Sequence, residues 1–447
     1  MTAMKLVHHG AYDGVTGSCH QYWITPESSV LVDCGTFQGH DAQRHPNPEI
    51  NFSLKGIESL LLTHVHIDHV GRVPYLLEAG FRGPIYCSVP TAKLLPLVME
   101  DALRIGFTKN KRAINFFLKN IGAMLRPLPY GQWQAIHSDA RIRLSPAGHV
   151  LGSTYFEIET ADGKVAVFSG DLGPKESPLL NPPKSPPKAD LLVMESTYGD
   201  KLHAPLVNRQ HELESILCKT LDNGGVTIIP AFSLGRTQDL LLEMNNIFER
   251  LDQYSLCAQL EDARVIVDSP LASRFTEIYN SLKDFWGDEA RRVLTIDNQP
   301  LVFRSLQTVA NHQEHSEIIE QLRNRRSPAI VIAGSGMCTG GRVVDYLKQF
   351  IGRPDTDIVF VGYQASGTPG HYIQKVGQWV RLDGKRFEIN ATTHTISGYS
   401  AHGDQADLIR FVEGFEERPK RIRLVHGEYQ AKKILNEELT KRGYVVD

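Results

Sequence analysis

The run THVHIDH at residues 63–69 places three histidines and an aspartate within six positions. In an extended segment His64 and His66 point to the same face, so both imidazoles can reach one metal ion. Asp68 and His69 lie on the turn that follows and can reach a second ion. Because these side chains would repel one another once protonated, unless a cation unites them, the spacing predicts a metal site rather than a polar surface turn.

Three further candidate ligands follow apolar runs elsewhere in the chain: His149 in PAGHVLGS, Asp171 in FSGDLG and His426 in RLVHGE. A lone histidine after an apolar run is more often a core or loop residue, but these three share the sequence context of the first cluster. Two catalytic metals with open positions require six or seven protein ligands. The sequence therefore predicts a dinuclear site.

The elements that must position these residues change in type along the chain. Short β segments that carry aspartate or histidine at their end lie at 28–35, 59–66 and 164–171. From about residue 200 a strand, a glycine-containing turn and a helix occur in succession four times, which is typical of a parallel α/β sheet. Short β segments return after about residue 386. We therefore expect a first domain formed by 1–200 and 386–447, with a second α/β domain, 201–385, inserted into it.

Residues 91–126 are predicted to be mainly helical, with interspersed basic residues at Arg104, Lys109, Lys111, Arg112, Lys119 and Arg126. On the sequence alone a solvated helix face is favoured over a nucleic-acid patch, and both readings stay open.

The composition excludes several classes of protein. With 447 residues, 41% hydrophobic and 22% charged, the chain is typical of folded soluble proteins of more than one domain. Its six cysteines form no C-x-x-C pair, which argues against a disulfide framework and a thiolate zinc finger, so a reducing cytoplasm is expected. No signal peptide or membrane span is predicted. The net charge of −3 says little about a polyanionic partner.

Asp33, the H-x-H-x-D-H run at 64–69, His149 and Asp171 closely resemble the four successive motifs of the metallo-β-lactamase superfamily. This resemblance implies an α/β fold in which an αββα sandwich carries the site.

Glu195 in MESTYGD, His402 in GYSAHGD and His426 in LVHGE resemble the three additional motifs of the β-CASP ribonucleases, which include the endonuclease of eukaryotic pre-mRNA 3′-end cleavage and bacterial and archaeal relatives. The resemblance covers essentially the whole chain and implies that the insert is a parallel α/β β-CASP domain. No KH-like extension precedes residue 1, so the shorter bacterial form is expected.

Carried over by position, the resemblance implies two zinc ions per chain. Their implied ligands are His64, His66 and His149 for one ion, Asp68, His69 and His426 for the other, and Asp171 as the bridge. Asp33 would orient a ligand histidine from behind. With a bridging hydroxide, the two ions and two carboxylates leave one net positive charge, which suits a phosphate substrate.

The implied reaction is hydrolysis of phosphodiester bonds in single-stranded RNA by the bridging hydroxide, leaving 5′-phosphate and 3′-hydroxyl ends. The implied catalytic groups are His402 as general acid, Glu195 to keep His402 protonated, and the ligand Asp68. Glu195 as a strand-end cap and His402 as a packing residue are the alternatives.

Loops of the insert are expected to contact RNA and to clamp it against the metals. Each follows an apolar strand and opens a helix, where backbone N–H groups favour phosphate. The candidate residues are Ser233, Gly235, Arg236, Thr237, Ser269, Gly334, Ser335 and Gly336. Turn structure without a binding role explains these loops equally well.

Three alternative functions stay open. A small-molecule thioester or lactam hydrolase would not need the long insert, and a DNA-processing relative would usually have an apolar residue at His426. An inactive scaffold subunit would not need intact ligands. The sequence leaves open the RNA target, the balance of endonuclease and 5′–3′ exonuclease activity, whether DNA is also cut, and whether the chain is a monomer or a homodimer.

Overall fold

The computed structural model describes residues 5–254, 263–324, 327–375 and 377–447. Contacts divide the chain into two compact units. The first unit comprises Met1–Lys175, Asn181–Leu202 and His402–Asp447. The second unit comprises Glu176–Leu180 and His203–Ala401.

The described chain contains both strands and helices. The strands are β1 (Leu6–Gly10), β2 (Cys19–Trp23), β3 (Ser29–Val32), β4 (Ile57–Leu61), β5 (Ile85–Ser88), β6 (Leu125–Leu128), β7 (Gln134–His137), β8 (Ala140–Pro146), β9 (Thr154–Thr160), β10 (Val165–Phe168), β11 (Leu191–Glu195), β12 (Val226–Pro230), β13 (Arg264–Asp268), β14 (Leu306–Thr308), β15 (Ala329–Ala333), β16 (Thr356–Phe360), β17 (Trp379–Leu382), β18 (Lys385–Glu388), β19 (Thr392–Thr395) and β20 (Ile422–Val425). The helices are α1 (Gly39–Arg44), α2 (Ile67–Val70), α3 (Val73–Glu78), α4 (Val89–Gly106), α5 (Lys111–Met124), α6 (Leu206–Asn223), α7 (Arg236–Tyr254), α8 (Pro270–Ser281), α9 (Asp288–Val293), α10 (His312–Asn324), α11 (Arg342–Phe350), α12 (Pro369–Gln374), α13 (Gln405–Glu413) and α14 (Tyr429–Lys441). Short 3₁₀ helices occupy Lys283–Phe285 and Ser397–Tyr399.

The first unit is a sandwich of two sheets. Within the described residues the strand orders are β1-β2-β3-β4-β5-β6 and β20-β11-β10-β9-β8-β7. Apolar side chains from both sheets, such as Val32 and Leu61 from one and Phe156 and Phe168 from the other, form a shared core. The opposite face of the second sheet packs against α13 and α14. Alternate residues of these strands therefore bury both faces of the sheet, and the expected αββα sandwich is confirmed.

The second unit has a parallel sheet of order β14-β13-β15-β12-β16-β19 within its described residues. All pairs in that sheet are parallel. Their central strands are buried along their whole length, as expected for strands covered by helices on both faces. The inserted parallel α/β domain is thus confirmed.

The return of the chain to the first unit follows β19. We expected this return at 386, and β19 pairs in parallel with β16 of the second unit. The chain rejoins the first unit at His402. The short β segment at 392–395 therefore extends the inserted sheet and does not belong to the sandwich.

Among the described residues, every helix is too short or too polar to cross a lipid bilayer.

Candidate metal centre

The predicted ligands all lie just beyond strands of the sandwich. The THVHIDH run follows β4 and enters α2, and His149 lies in the turn between β8 and β9. Asp171 follows β10, and His426 follows β20 with a left-handed φ of 50°. Since these strands end at the same edge of the packed sheets, segments distant in sequence converge there.

Asp171 lies between two groups of histidines. Its Oδ2 is 3.4 Å from Nε2 of His64 and 3.5 Å from Nε2 of His149. Its Oδ1 is 3.3 Å from Nε2 of His69 and 3.5 Å from Nε2 of His426. Each oxygen of one carboxylate thus faces a different group, which is the arrangement expected of a bridging ligand.

Ligand atoms in this region cluster as two sets that could each hold a metal ion. One set contains His64, His66, His149 and Asp171, and the other contains Asp68, His69 and His426. The resemblance implies the same grouping, with Asp171 shared between the two ions. A third overlapping set contains Asp171, His402 and His426, so geometry alone also allows His402 to reach a metal.

Three buried atoms in this cluster have no hydrogen-bond partner: Nε2 of His64, Nε2 of His69 and Oδ1 of Asp171. Leaving such atoms unsatisfied is costly, so the cluster requires a further partner. Tetrahedral zinc with bonds of about 2.0–2.1 Å separates its ligand atoms by roughly 3.3 Å. The measured separations of 3.3–3.5 Å around Asp171 therefore fit a shared cation.

The protonation of the ligands also favours a cation. Burial lowers the pKa of His64 well below its usual range and that of His66 to about 4, so both are neutral imidazoles able to bind metal. Burial opposes charge on His69, but the carboxylates of Asp171 and Asp33 outweigh burial and raise the pKa of His69 well above its usual range. The carboxylates that favour a proton on His69 would equally attract a metal ion.

Asp33 supports two of the histidines at once. Its Oδ2 accepts a hydrogen bond from Nδ1 of His69 at 2.8 Å. The Thr63 hydroxyl donates to the same oxygen at 2.7 Å and lies 3.1 Å from Nδ1 of His64. The Thr63 backbone N–H donates to Oδ1 of Asp33. Asp33 thus orients His69 directly and His64 through Thr63, a residue that the sequence analysis missed although it immediately precedes His64.

Ser18 was also missed. Its hydroxyl lies 3.4 Å from Nδ1 of His426, and the backbone N–H of Ser18 donates to the carbonyl of Asp68. One serine thus contacts two segments of the same predicted ligand set.

His402 and Glu195 form a buried pair beside the ligands. Glu195 is the last residue of β11 and is fully buried, and both of its carboxylate oxygens lie 3.1 Å from Nδ1 of His402. Its Oε1 also accepts from the Leu172 backbone N–H at 2.6 Å. Nε2 of His402 points toward Asp171, 3.9 Å from its Oδ2. Burial disfavours charge on His402, but Glu195 and Asp171 outweigh it and raise the pKa of His402 to about 9.

Loops at the carboxyl ends of β12, β13 and β15 hold the candidate RNA contacts of the second unit. The hydroxyls of Ser233 and Ser269 lie 2.9 Å apart. A Cβ built on Gly334 would lie 3.7 Å from the Ser233 hydroxyl and 3.9 Å from that of Ser269, so Gly334 opens onto the same point. Three neighbouring loops therefore converge.

Two of the candidate side chains are committed to partners inside their own loop. The Arg236 guanidinium is buried and pairs with Asp239 at 2.9 Å. The Thr237 hydroxyl donates to the carbonyl of Phe232 at 2.8 Å. Gly235 donates its backbone N–H to the side chain of Gln238.

Phe232 is a further residue that the sequence analysis missed. Its ring is 46% exposed and covers Gly336, where a Cβ would lie 2.9 Å from a ring carbon. The sequence shows only an aromatic residue between an apolar strand and a glycine loop, and the structure adds the exposure that a ring needs to stack on a base.

Family models match most of the chain. The metallo-β-lactamase superfamily model matches residues 14–215, and the β-CASP domain model matches 237–373. A model described as the Zn-dependent metallo-hydrolase RNA specificity domain matches 386–447.

Curated relatives match along nearly the whole chain. Ribonuclease TTHA0252 of Thermus thermophilus is 35% identical over 99% of this chain and 97% of its own length. Transcription termination factor FttA of Methanothermobacter thermautotrophicus is 31% identical over 95% of this chain and 67% of its own length, and FttA of Methanosarcina mazei is 30% identical over 91% and 64%. This chain thus spans about two thirds of the length of the FttA relatives.

A crystal structure of a protein of unknown function from Enterococcus faecalis V583 is similar in fold, with a TM-score of 0.54, 12% identity, and coverage of 99% of this chain and 96% of that one. Together with the three family models and the 35% identical relative, the fold and the histidine and aspartate motifs lead to one assignment. The chain belongs to the β-CASP ribonuclease family of the metallo-β-lactamase superfamily.

Proposed function

We propose that this chain is a zinc-dependent ribonuclease that hydrolyses single-stranded RNA to 5′-phosphate and 3′-hydroxyl ends. The observation that carries the proposal is the position of Asp171, whose two oxygens face the two predicted ligand sets. The similarity to Ribonuclease TTHA0252 supports RNA as the substrate.

The two ligand sets would hold two zinc ions, with Asp171 shared between them. When bound, the ions would lower the pKa of a bridging water and neutralise the charge that develops on the phosphodiester. Asp33, Thr63 and Ser18 keep the ligand imidazoles in the required orientation.

His402 supplies the proton that the leaving 3′-oxygen needs. Glu195 accepts from Nδ1 of His402 and stabilises the imidazolium, and the opposite nitrogen, Nε2, carries the proton to be delivered on the side that faces Asp171. A positioned acid of this kind accelerates bond cleavage by about 10²–10⁴-fold. Glu195 is buried and does not itself reach a substrate, so its role is to position and charge His402.

Within the second unit, we propose that Ser233, Ser269 and the loop Gly334-Ser335-Gly336 contact RNA phosphates, while Phe232 stacks on a base. Arg236, Thr237 and Gly235 hold the first of these loops in shape through their internal bonds.

A cleavage assay tests the proposal. The purified protein is incubated, with and without chelator, with matched end-labelled single-stranded RNA, single-stranded DNA and duplex, and the products are compared on a gel. We expect chelator-sensitive cleavage of single-stranded RNA, with little cleavage of the other two. A preference for DNA would support a DNA-processing role instead, and the absence of nuclease activity from a chain with full metal content would contradict the proposal.

The product ends test the chemistry. If water attacks phosphorus, RNA with 2′-O-methyl at the scissile nucleotide is still cut, and mass spectrometry shows a 3′-hydroxyl upstream and a 5′-phosphate downstream. Attack by the 2′-oxygen instead requires a 2′,3′-cyclic phosphate and cannot occur at the methylated position. Detection of that cyclic phosphate refutes the hydrolytic mechanism.

A further inference from the structure

The hairpin formed by α4 and α5 carries a concentration of positive charge on the first unit. The sequence from residue 102 to 138 contains no acidic residue, although the whole chain has a net charge of −3. Lys109, Lys111, Arg112 and Lys119 lie on this hairpin, and all four are exposed.

Large apolar side chains are exposed in the same place. Ile105 is 81% exposed and Phe116 is 68% exposed, and both lie within two helical turns of the loop that joins the helices. In α5 the buried residues are Ile114 and Ile121, seven positions apart and therefore on one face. At about 100° per residue, Phe116 lies roughly 200° from Ile114 and so points away from that buried face.

Phe116 lies on the same outward face as two cations. Arg112 precedes it by four residues and Lys119 follows it by three, which are the spacings that bring side chains together on a helix surface. A single exposed apolar residue is common on protein surfaces. An exposed phenyl ring placed between two cations is also a feature of surfaces that bind single-stranded nucleic acid, where bases stack on the ring and phosphates meet the cations.

We propose that the α4–α5 surface, defined by Lys109, Lys111, Arg112, Phe116 and Lys119, is a second RNA-binding site outside the metal centre. The inference rests on the proposed function, because it takes single-stranded RNA as the ligand. Charge complementarity selects this partner, since a surface with four cations and no acidic residue in its own segment matches a chain of phosphates. An exosite of this kind holds RNA by contacts that are independent of base sequence.

Charge reversal tests the surface. The test variant combines Lys111→Glu, Arg112→Glu and Lys119→Glu. It is made in a His402→Ala background so that the RNA is not cut during the measurement. Its affinity for a labelled 30-nucleotide single-stranded RNA is measured by fluorescence anisotropy at several salt concentrations. We expect affinity to fall by roughly tenfold or more, and the slope of log affinity against log salt to decrease by about 2, because each lost phosphate contact removes about 0.7. Acidic residues at the start of α5 suit the helix dipole, so the helix is expected to persist.

The matched control is Lys55→Glu, Lys184→Glu and Lys433→Glu, which changes the net charge equally through exposed lysines elsewhere on the first unit. This control is expected to keep its affinity within about twofold, allowing for long-range charge effects. The proposal is overturned if the two triple variants lose RNA affinity equally. It is also overturned if the α4–α5 variant binds RNA as tightly as its His402→Ala parent. Because RNA cleavage by the parent chain is measured separately, this failure leaves the proposed function standing.

Substitution of Phe116 distinguishes stacking from apolar docking. Phe116→Trp is expected to keep RNA affinity, whereas Phe116→Ala and Phe116→Leu are expected to lose roughly fivefold or more. Retained affinity in Phe116→Leu shows that apolar area is sufficient and overturns the stacking role. The α4–α5 triple variant is also tested for binding to anionic phosphatidylserine vesicles and for its oligomeric state by sedimentation. If RNA affinity is unchanged while vesicle binding is lost, the surface binds lipid. If RNA affinity is unchanged while the oligomeric state changes, the surface binds a second copy, and either result overturns the proposal.

Discussion

Both carboxylate oxygens of Glu195 lie 3.1 Å from Nδ1 of His402, while the opposite nitrogen of the imidazole points toward Asp171. A fully buried carboxylate thus holds one side of the ring, and the other side faces the bridging candidate Asp171. This separation allows the acid role of His402 to be tested apart from metal binding.

His402→Ala should keep its zinc and lose activity. The ligand sets remain intact, but the leaving oxygen has no proton donor, so we expect a rate loss of roughly 100-fold or more. Elemental analysis and single-turnover cleavage of the same preparation provide the two readouts. Loss of one metal from this variant would show that His402 is a ligand, as the third cluster of Asp171, His402 and His426 allows.

Glu195→Gln should act only through His402. Glutamine keeps an acceptor for the Leu172 backbone N–H but removes the charge that stabilises the imidazolium. We expect a rate loss of roughly tenfold or more with normal zinc content. The double variant Glu195→Gln/His402→Ala should be no slower than His402→Ala alone, because the two residues act as one unit. Losses that multiply in the double variant would contradict the positioning role.

Thr63→Val should weaken metal binding. Valine has nearly the shape of threonine but cannot donate to Asp33 or contact Nδ1 of His64. Removal of such a supporting contact typically lowers metal affinity by about 10–100-fold. Competition with chelators of graded strength would measure the metal affinity of the variant. Thr63→Ser keeps the hydroxyl and serves as the control, and equal affinities in the two variants would show that the hydroxyl does not support the site.

Protein purified without added metal should contain about two zinc ions per chain. His64→Ala should lose metal and activity together, because it removes a buried candidate ligand atom, Nε2, that has no hydrogen-bond partner. His211→Ala, at an exposed histidine of the second unit, is the matched control and should retain both. One metal at full occupancy, or activity that survives complete chelation, would contradict the dinuclear site.

Candidate metal ligands could be read from the sequence because such ligands are restricted in type and lie at strand ends. His149, Asp171 and His426 each follow an apolar run, so each was expected just beyond the end of a strand. The four strand–turn–helix units of the insert were equally clear, since buried parallel strands read as continuous apolar runs.

Other parts of the site could not be read from the sequence. Hydroxyl residues are frequent everywhere, so Ser18 beside His426 gives no signal before the fold brings the two segments together. The pairing of β19 with β16 could not be read either, because its four polar residues are exposed or half-buried and would suit an edge strand of either sheet. The exposure of Phe116 follows from which face of α5 is buried, a choice that the sequence of the helix leaves open.

The pairing of β11 with β20 determines when the site can exist. Leu192 lies opposite Ile422, and the segment His203–Ala401, which forms nearly all of the second unit, is synthesised between them. During translation, His64, His149 and Asp171 are therefore synthesised well before His402 and His426. Until then the nascent chain contains only part of the candidate ligand set. A hydrolytic centre of the proposed kind would stay incomplete until translation has nearly finished, so the growing chain could not cut the messenger RNA that encodes it.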